Sequence, residues 1–265
     1  MEGVWSGSFS GNSATNSTFG WTRKADAGTE AAEPQENGVK NFTDFNRFRM
    51  SVDSTLTMES QVPMGDSYEE DALVWPCYIL FNESASMSGP KLDAVNQILL
   101  TIFNAFLTDP LVHAQVRLGL TSFSDTAEEL VPPMSLLNFP ALPKASSKSD
   151  SNYTAAFSWA KLAIDRDVPK FRSIGFQVLR PFVFFISDGE PTSSGWQTTH
   201  AALTSLNYRF APTILSCGVT GAVGEVIKEV ATTLRNGHVC YWLADDGTDL
   251  AGVVRKYIGS FSNDW

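Results

Sequence analysis

Hydroxyl-bearing residues follow directly after a strongly apolar stretch of the chain, in "YILFNESASMSG". Ser84 and Ser86 stand two residues apart there, with Asn82 just ahead of them. Two more polar loops come later, "SDSNYT" at residues 149–154 and the loop that begins at Asp188. The oxygen atoms of serine, threonine, asparagine and aspartate are hard ligands, which suit Mg²⁺ or Mn²⁺ better than Zn²⁺. The three loops therefore predict a site for Mg²⁺ or Mn²⁺, if the fold brings them together.

Apolar strands that alternate with amphipathic helices must position these loops. The apolar runs predict strands at residues 72–81, 115–123, 128–132, 181–189, 212–219 and 238–244. Helical spacing predicts helices from Pro90 onward and over residues 151–164, 195–208, 223–237 and 248–261. This order predicts an α/β fold with a doubly wound, Rossmann-like, mainly parallel sheet and helices on both faces. In such a sheet, ligands bind beyond the carboxyl ends of the strands, where the strand order reverses.

Three local signals add detail to this pattern. Pro76 predicts that the first half of its strand is irregular or lies at a sheet edge, because proline lacks an amide hydrogen. Gly237 is expected to close the helix over residues 223–237. Thr248 or Asp249 is expected to cap the last helix.

The order N-x-S-x-S-M-S-G, then S-N-Y-T-A-A, then F-F-I-S-D-G-E-P-T resembles the von Willebrand factor A (vWA) domain, over about residues 72–260. That family carries a metal-ion-dependent adhesion site, in which a D-x-S-x-S element meets a separate Thr and a separate Asp. "SDGEPT" and "TSFSDTAEELVP" look most like the bacterial intracellular branch, which includes the tellurite-resistance-associated vWA proteins.

The resemblance implies a role for each matching position. Ser84 and Ser86 match the two serines that ligate the metal directly. Asp188 matches the acid that usually acts through metal-bound water. The separate Thr has two candidates: Ser151, which an alignment on "NYTAA" favours, and Thr154, one turn further on.

Asn82 is the main departure, because it stands where the family has its first Asp. Asparagine keeps one carbonyl acceptor but loses a negative charge, so Asp188 is the only carboxylate left in the motif. Affinity for a divalent cation should fall, since Coulomb attraction is its main component. Glu83 and Glu190 are close in sequence and could compensate, but Glu83 directly follows Asn82 and should point away from it.

The first 70 residues differ in character from the rest. They hold 11 acidic and 5 basic residues and are rich in Ser, Gly, Asn and Thr. Such a composition predicts a polar, acidic N-terminal extension that is partly flexible. The vWA-like domain is then expected to cover residues 71–265.

Composition also restricts the partners and the compartment. The net charge of −10 disfavours nucleic acid and anionic membranes as partners. The N-terminus lacks the basic and apolar regions of a secretory signal, and no apolar stretch is long enough to span a membrane. Cysteines at positions 77, 217 and 240 lie in apolar runs, which indicates buried free thiols and a reducing cytoplasm.

Two function classes follow. The first is a metal-dependent protein-interaction module, an adaptor or scaffold, whose partner completes the metal sphere with an acidic side chain. By resemblance, it would serve a bacterial stress-response or defence system beside a separate kinase, phosphatase or AAA+ ATPase. The second is a Mg²⁺-dependent hydrolase, which needs a nucleophile or general base beside the metal. Because the sequence has no nucleophile motif and Asn82 cannot be an aspartyl nucleophile, the non-enzyme reading is favoured. A scaffold that docks without metal is a variant of the first class.

Overall fold

The structure, a computed structural model, describes residues 72–262. A seven-stranded, mostly parallel sheet lies at the centre of this part of the chain. Its order is β3-β2-β1-β5-β6-β7, and the short β4 pairs with the start of β1. Within this part of the chain, every strand pair is parallel except β2 with β3. The strands are β1 Leu73–Asn82, β2 Val116–Phe123, β3 Ala127–Ser135, β4 Gln177–Val178, β5 Phe182–Ser187, β6 Thr213–Gly218 and β7 Tyr241–Leu243.

Helices cover both faces of the sheet. They are α1 Pro90–Leu107, α2 Pro110–Gln115, α3 Tyr153–Ser173, α4 Trp196–Thr204, α5 Gly224–Val230 and α6 Leu250–Ser262. On one face, Phe185 of β5 stacks between Phe123 of β2 and Phe157 of α3, with ring centroids 5.2 and 5.1 Å away. On the other face, Phe184 meets Phe106 of α1 edge to face at 5.8 Å. Side chains that alternate along β5 therefore serve two cores. The predicted fold class is confirmed.

The chain reverses its direction of travel across the sheet at β1. From β1 it moves to β2 and β3 on one side, and then returns to β5 on the other side. The carboxyl ends of β1 and β5 are therefore neighbours at the switch point of the sheet. Asn82 ends β1 and Ser187 ends β5, so Asp188 follows directly at the same edge.

Pro76 lies inside β1, a central strand, so the edge alternative is wrong, whereas the pairing on one side of the strand is irregular at this residue. On the side away from β2, β1 pairs with β4 as far as Val74 and with β5 only from Cys77 onward. Pro76 lies in the gap between these two ladders. An amide hydrogen is not needed on that side of the strand there, which explains why proline is tolerated.

The helix predicted over residues 223–237 is wrong in its second half, because α5 ends at Val230. Thr232 leaves the helix to pair with the start of β6: its amide donates to the carbonyl of Ile214 at 3.0 Å. The amide of Ile214 in turn donates to Thr232 Oγ1 at 2.8 Å. Gly237 closes a turn instead, with a φ of 80° and its amide bonded to the carbonyl of Leu234.

Of the two cap candidates for the last helix, Asp249 makes the capping bonds. Its Oδ1 accepts from the amide of Ala251 at 3.1 Å and its Oδ2 from the amide of Gly252 at 2.8 Å. These bonds satisfy two of the amides that a helix leaves unpaired at its start.

The predicted thiol state is confirmed for all three cysteines, which are buried and unpaired. The predicted N-terminal extension lies outside the described residues, so the boundary near residue 70 stays a prediction. Between residues 72 and 262, no helix has both the length and the apolar character that a membrane span requires.

Candidate functional site

The carboxyl end of β1 bends into a polar loop that begins with a bond of Asn82 to its own chain. Asn82 is fully buried, and its Oδ1 accepts from the amide of Ser84 at 2.9 Å, which is a common way for asparagine to fix a turn. Ser84 is buried as well, and its Oγ lies 2.9 Å from Oγ of the exposed Ser86. The two serines therefore present a pair of hydroxyls at the opening of the loop.

A sharp turn joins this loop to α1. Gly89 has a φ of 68°, in the left-handed region that side-chain-bearing residues rarely adopt. Pro90 is the first residue of α1, as predicted, since that position needs no amide hydrogen. The start of α1 consequently lies directly behind the serine loop.

Ser151 reaches the same place from the loop before α3. It is fully buried, and its Oγ accepts from Asn82 Nδ2 at 2.9 Å. Its backbone is bonded twice to Thr192: the Ser151 amide donates to Thr192 Oγ1 at 3.1 Å, and its carbonyl accepts from the Thr192 amide at 2.9 Å. Thr192 belongs to the loop after β5, so the second and third polar loops are joined to each other as well.

Thr154, the other candidate for the threonine position, takes no part in these bonds. It is half-buried in the first turn of α3. Within residues 72–262, no hydrogen bond connects it to Asn82, Ser84, Ser86 or Asp188. Ser151 is therefore the candidate that the fold brings into contact with Asn82.

The loop that carries Ser151 is held from its other side by Asp125, in the turn between β2 and β3. The carboxylate of Asp125 accepts from the hydroxyl of Ser149, at 2.5 Å, and from the amide of Asp150, at 2.9 Å. These bonds favour the charged form and lower the pKa of Asp125. Asn152 adds an N-cap for α3 by accepting from the amide of Ala155 at 3.0 Å.

Asp188, the third predicted element, is fully buried at the end of β5. Its Oδ1 accepts from the amide of Glu190 at 3.3 Å, while the residue Glu190 itself is exposed. Gly189 follows with a φ of 74°, and a Cβ there would lie only 2.7 Å from the carbonyl oxygen of Val223. The loop can therefore pack this closely only with glycine beside Asp188.

Ser187 is a site residue that the sequence did not single out. Its Oγ accepts from Asn82 Nδ2 at 3.2 Å and from the hydroxyl of Tyr153 at 2.7 Å, and it donates to Asp188 Oδ1 at 3.4 Å. Burial raises the pKa of Tyr153, so its hydroxyl stays protonated and able to donate. The side-chain amide of Asn82 thus joins the first loop to Ser151 and to Ser187. A serine that ends an apolar strand beside an acid was the available signal.

Lys91 is the second residue that was missed. It is the second residue of α1, and its Nζ lies 3.0 Å from Asp188 Oδ2. The pair gives the buried carboxylate a cationic partner inside the protein. A lysine at the start of a helix, where acids are preferred, was the signal that could have found it.

Glu83 does not add its charge to the site. It is buried, and its Oε1 accepts from the amide of Ser146 at 2.7 Å, while its Oε2 pairs with Lys148 Nζ at 2.9 Å. The bond to Glu83 is the main reason why the pKa of Lys148 is raised. Glu83 therefore fastens the connection before α3 and leaves Asp188 as the carboxylate of the predicted set.

The donor set fits a hard divalent cation in kind. The hydroxyls of Ser84, Ser86 and Ser151 and the carboxylate of Asp188 gather at one edge of the sheet. In the part of the chain that the structure describes, no three His, Cys, Asp or Glu side chains form a metal-binding group, so hydroxyl oxygens would supply most of the ligands. The charge is low for such a site, because the ammonium of Lys91 offsets the single carboxylate.

No protein-family model and no curated protein sequence matches the chain. Solved structures do match. Proximal thread matrix protein 1 from the mussel byssus, with a zinc-occupied MIDAS motif, aligns with a TM-score of 0.51 and 13% identity over 71% of this chain and 47% of the mussel chain. The chain therefore spans about half of that protein. Manganese-loaded Plasmodium vivax TRAP aligns with a TM-score of 0.50 and 16% identity over 71% of this chain and 74% of its own. The ArnB paralog VWA2 from Sulfolobus acidocaldarius aligns at 0.46, with 16% identity over 69% and 44%.

Identities this low indicate a shared fold and leave activity open. The strand order, the helices on both faces and the two neighbours with TM-scores of 0.51 and 0.50 agree with one another. The described part of this chain therefore has the Rossmann-like fold of vWA domains.

Proposed function

We propose that this chain is a protein-interaction module that docks a partner at the carboxyl edge of its sheet, through a variant metal-ion-dependent adhesion site. The observation that carries the proposal is the junction of three loops on the buried amide of Asn82, which bonds to Ser84, Ser151 and Ser187. A rigid junction of this kind holds hydroxyls and the carboxylate of Asp188 in place before any partner arrives, which lowers the entropic cost of docking.

The proposed ion is Mg²⁺ or Mn²⁺, held by the hydroxyls of Ser84, Ser86 and Ser151, with Asp188 in support. When bound, such an ion would supply an uncompensated positive charge at a rigid edge, and that charge favours a partner with an acidic side chain. The zinc-occupied MIDAS motif of the mussel protein and the manganese-loaded TRAP protein support the metal part of the proposal by analogy.

The chemistry of the site favours interaction over a Mg²⁺-dependent hydrolase. Asn82 offers an amide where a carboxylate nucleophile would be needed. The hydroxyl of Ser84 is bonded to that of Ser86. Two of the three histidines are engaged away from the site: His200 Nε2 lies 2.9 Å from the carbonyl of Val230, and His238 Nε2 lies 2.8 Å from the hydroxyl of Tyr257. We therefore assign no catalytic residue.

The proposed setting is a bacterial stress-response or defence system, such as tellurite resistance, in which a separate kinase, phosphatase or ATPase provides the chemistry. This setting rests on the resemblance of the "SDGEPT" segment to intracellular vWA proteins. A cytoplasmic location agrees with three buried, unpaired cysteines, because a reducing compartment keeps thiols free.

Docking without metal is the second candidate, and one observation favours it. The amide of Asn82 and the ammonium of Lys91 already satisfy groups that an ion would otherwise organise. The same edge of the sheet would then bind its partner through hydrogen bonds and charge alone.

A pull-down from a lysate of the source cells separates these candidates. Four samples are compared: wild type in Mg²⁺, wild type in EDTA, the site variant Ser84→Ala/Ser86→Ala in Mg²⁺ and a control variant in Mg²⁺. The matched control is Ser158→Ala/Ser173→Ala, on the exposed surface of α3. Metal-dependent docking predicts that a partner is lost in EDTA and with the site variant but kept by the control. Loss with the site variant alone indicates docking without metal. A partner that all four samples retain equally would place the interface elsewhere.

A further inference from the structure

Lys91 lies where its own helix disfavours a positive charge. It is the second residue of α1, which is 18 residues long. The amino end of a helix carries a partial positive charge, so a lysine in the first turn is destabilising unless another group compensates for it. The same turn holds one acid, the exposed Asp93, but the ion pair that Lys91 forms is with a group from another part of the fold.

The compensating group is Asp188, from the end of β5. Lys91 Nζ lies 3.0 Å from Asp188 Oδ2, within hydrogen-bonding distance, and 97 residues separate the two in sequence. The side chain of Asp188 is 0% exposed, whereas that of Lys91 is 25% exposed. A buried carboxylate is costly without a counter-charge, so the ammonium neutralises the one acid of the predicted metal set.

We propose that Lys91 is the resident cation of this site, which means that its ammonium pairs with Asp188 in the metal-free protein. A divalent cation binds to Asp188 only after Lys91 has moved away. The inference rests on the proposed function for the identity of the site. It goes further by assigning the control of metal affinity to a residue outside the motif.

Charge and flexibility both support this role. With asparagine at position 82, the site holds one carboxylate and one ammonium, so its net charge gives a divalent cation no attraction. Lysine carries its charge on a flexible four-carbon stem, and the side chain of Lys91 is 25% exposed, so it borders solvent. Displacement of Lys91 therefore requires no change in the sheet or in the three loops.

The direct test is a calorimetric titration of Mn²⁺ into wild type and Lys91→Met, which keeps the apolar stem and removes the charge. Lys170→Met is the matched control, because Lys170 is exposed near the far end of α3 and its loss changes the net charge equally. We expect Mn²⁺ to bind Lys91→Met at least about tenfold more tightly than wild type, while Lys170→Met stays within about twofold of wild type. Equal affinity in Lys91→Met and wild type would overturn the inference and leave metal-dependent docking intact.

The remaining outcomes separate the inference from the proposed function. Binding to Lys91→Met but not to wild type supports Lys91 as the resident cation and contradicts metal-dependent docking by the natural chain. Absence of binding to both proteins overturns both ideas together.

Thermal unfolding in EDTA tests the ion pair without any metal. We expect Lys91→Met to lower the Tm of the wild type by about 3 °C, and to lower that of Asp188→Asn by less than about 1 °C, because the pair is already broken there. An equal loss in both backgrounds would show that Lys91 contributes through something other than Asp188, and would overturn the inference.

Discussion

Two aspartates are buried beside β1 and β5, and their hydrogen-bond and ion-pair partners differ greatly. Asp167 of α3 receives Arg166 Nε on Oδ1 at 2.7 Å and Arg166 Nη2 on Oδ2 at 2.9 Å, and the hydroxyl of Tyr78 adds a bond to Oδ2 at 3.3 Å. Asp188 has the single ammonium of Lys91 and two longer bonds of 3.3 and 3.4 Å. A forked guanidinium fixes a carboxylate in one geometry, whereas one ammonium leaves it exchangeable.

The two aspartates lie near opposite ends of α3, and their partners indicate different roles. Asp167 lies towards the end of the helix, where Arg166 also bonds to Glu129 of β3, so its network ties α3 to the sheet. Burial and the neighbouring Asp167 raise the pKa of Tyr78, which keeps its hydroxyl protonated as a donor. Asp188 lies at the other end, where it accepts from the hydroxyl of Ser187 and pairs with the partly exposed Lys91. We read the first as a closed structural cluster and the second as a site that can accept a ligand.

Removal of the Asp167 carboxylate should have the largest effect on stability. Asp167→Ala leaves the buried hydroxyl of Tyr78 without its acceptor, so we expect the free energy of unfolding to fall by about 2–3 kcal/mol in urea denaturation. The response of the protein to Mn²⁺ should not change. Glu225→Ala is the control, because it removes an exposed carboxylate paired with Lys228 and should cost less than about 0.5 kcal/mol. Equal losses in the two variants would refute the distinction between the clusters.

Asn82→Asp should have two opposite effects at the site around Asp188, one on stability without metal and one on Mn²⁺ binding. In EDTA, it places two buried carboxylates on either side of the hydroxyl of Ser187 and removes two amide donors, so we expect a loss of about 1–2 kcal/mol in the free energy of unfolding. With Mn²⁺ present, the added charge should tighten binding by about tenfold or more and recover the lost stability. Denaturation with and without Mn²⁺ measures both effects. Weaker or unchanged Mn²⁺ affinity would contradict the electrostatic account of Asn82.

Loss of the charge on Glu129, the outer partner of Arg166 in the closed cluster, should have the smallest effect on stability. Glu129→Gln removes the bidentate partner of Arg166, but the Arg166 side chain is 48% exposed and solvent screens the pair. We therefore expect a loss of only about 0.5 kcal/mol in the free energy of unfolding, measured in urea at low salt and again at high salt. A loss as large as that of Asp167→Ala would mean that the cluster depends on its exposed pair.

The sequence predicted the fold class and the three loops because both depend on strong local signals. Near-continuous apolar runs mark the buried strands, and small polar residues stop them at Asn82 and Ser187. The end of α5 and the two-residue β4 were not predictable in the same way, because they depend on pairing with strands that are distant in sequence. At Thr232, a bond to β6 overrides the helical pattern of its own segment.

The candidate site was predictable as a set of loops but not as a network. Ser151 was favoured over Thr154 from an alignment, and the fold brings Ser151 into contact with Asn82. Its role as a metal ligand stays a prediction. Lys91 and Ser187 were missed because their importance lies in partners far away in the chain. Charges and hydroxyls of this kind are ordinary surface residues until the sheet topology brings them together.

A Mn²⁺ titration of wild type and Asp188→Asn shows whether Asp188 and the three serine hydroxyls form one cation-responsive site. Asp188→Asn preserves the size of the side chain and removes the carboxylate. Calorimetry should show a single, weak, saturable binding event for wild type and no saturable heat for Asp188→Asn. Identical titration curves for the two proteins, with or without binding, would show that Asp188 takes no part in a cation site.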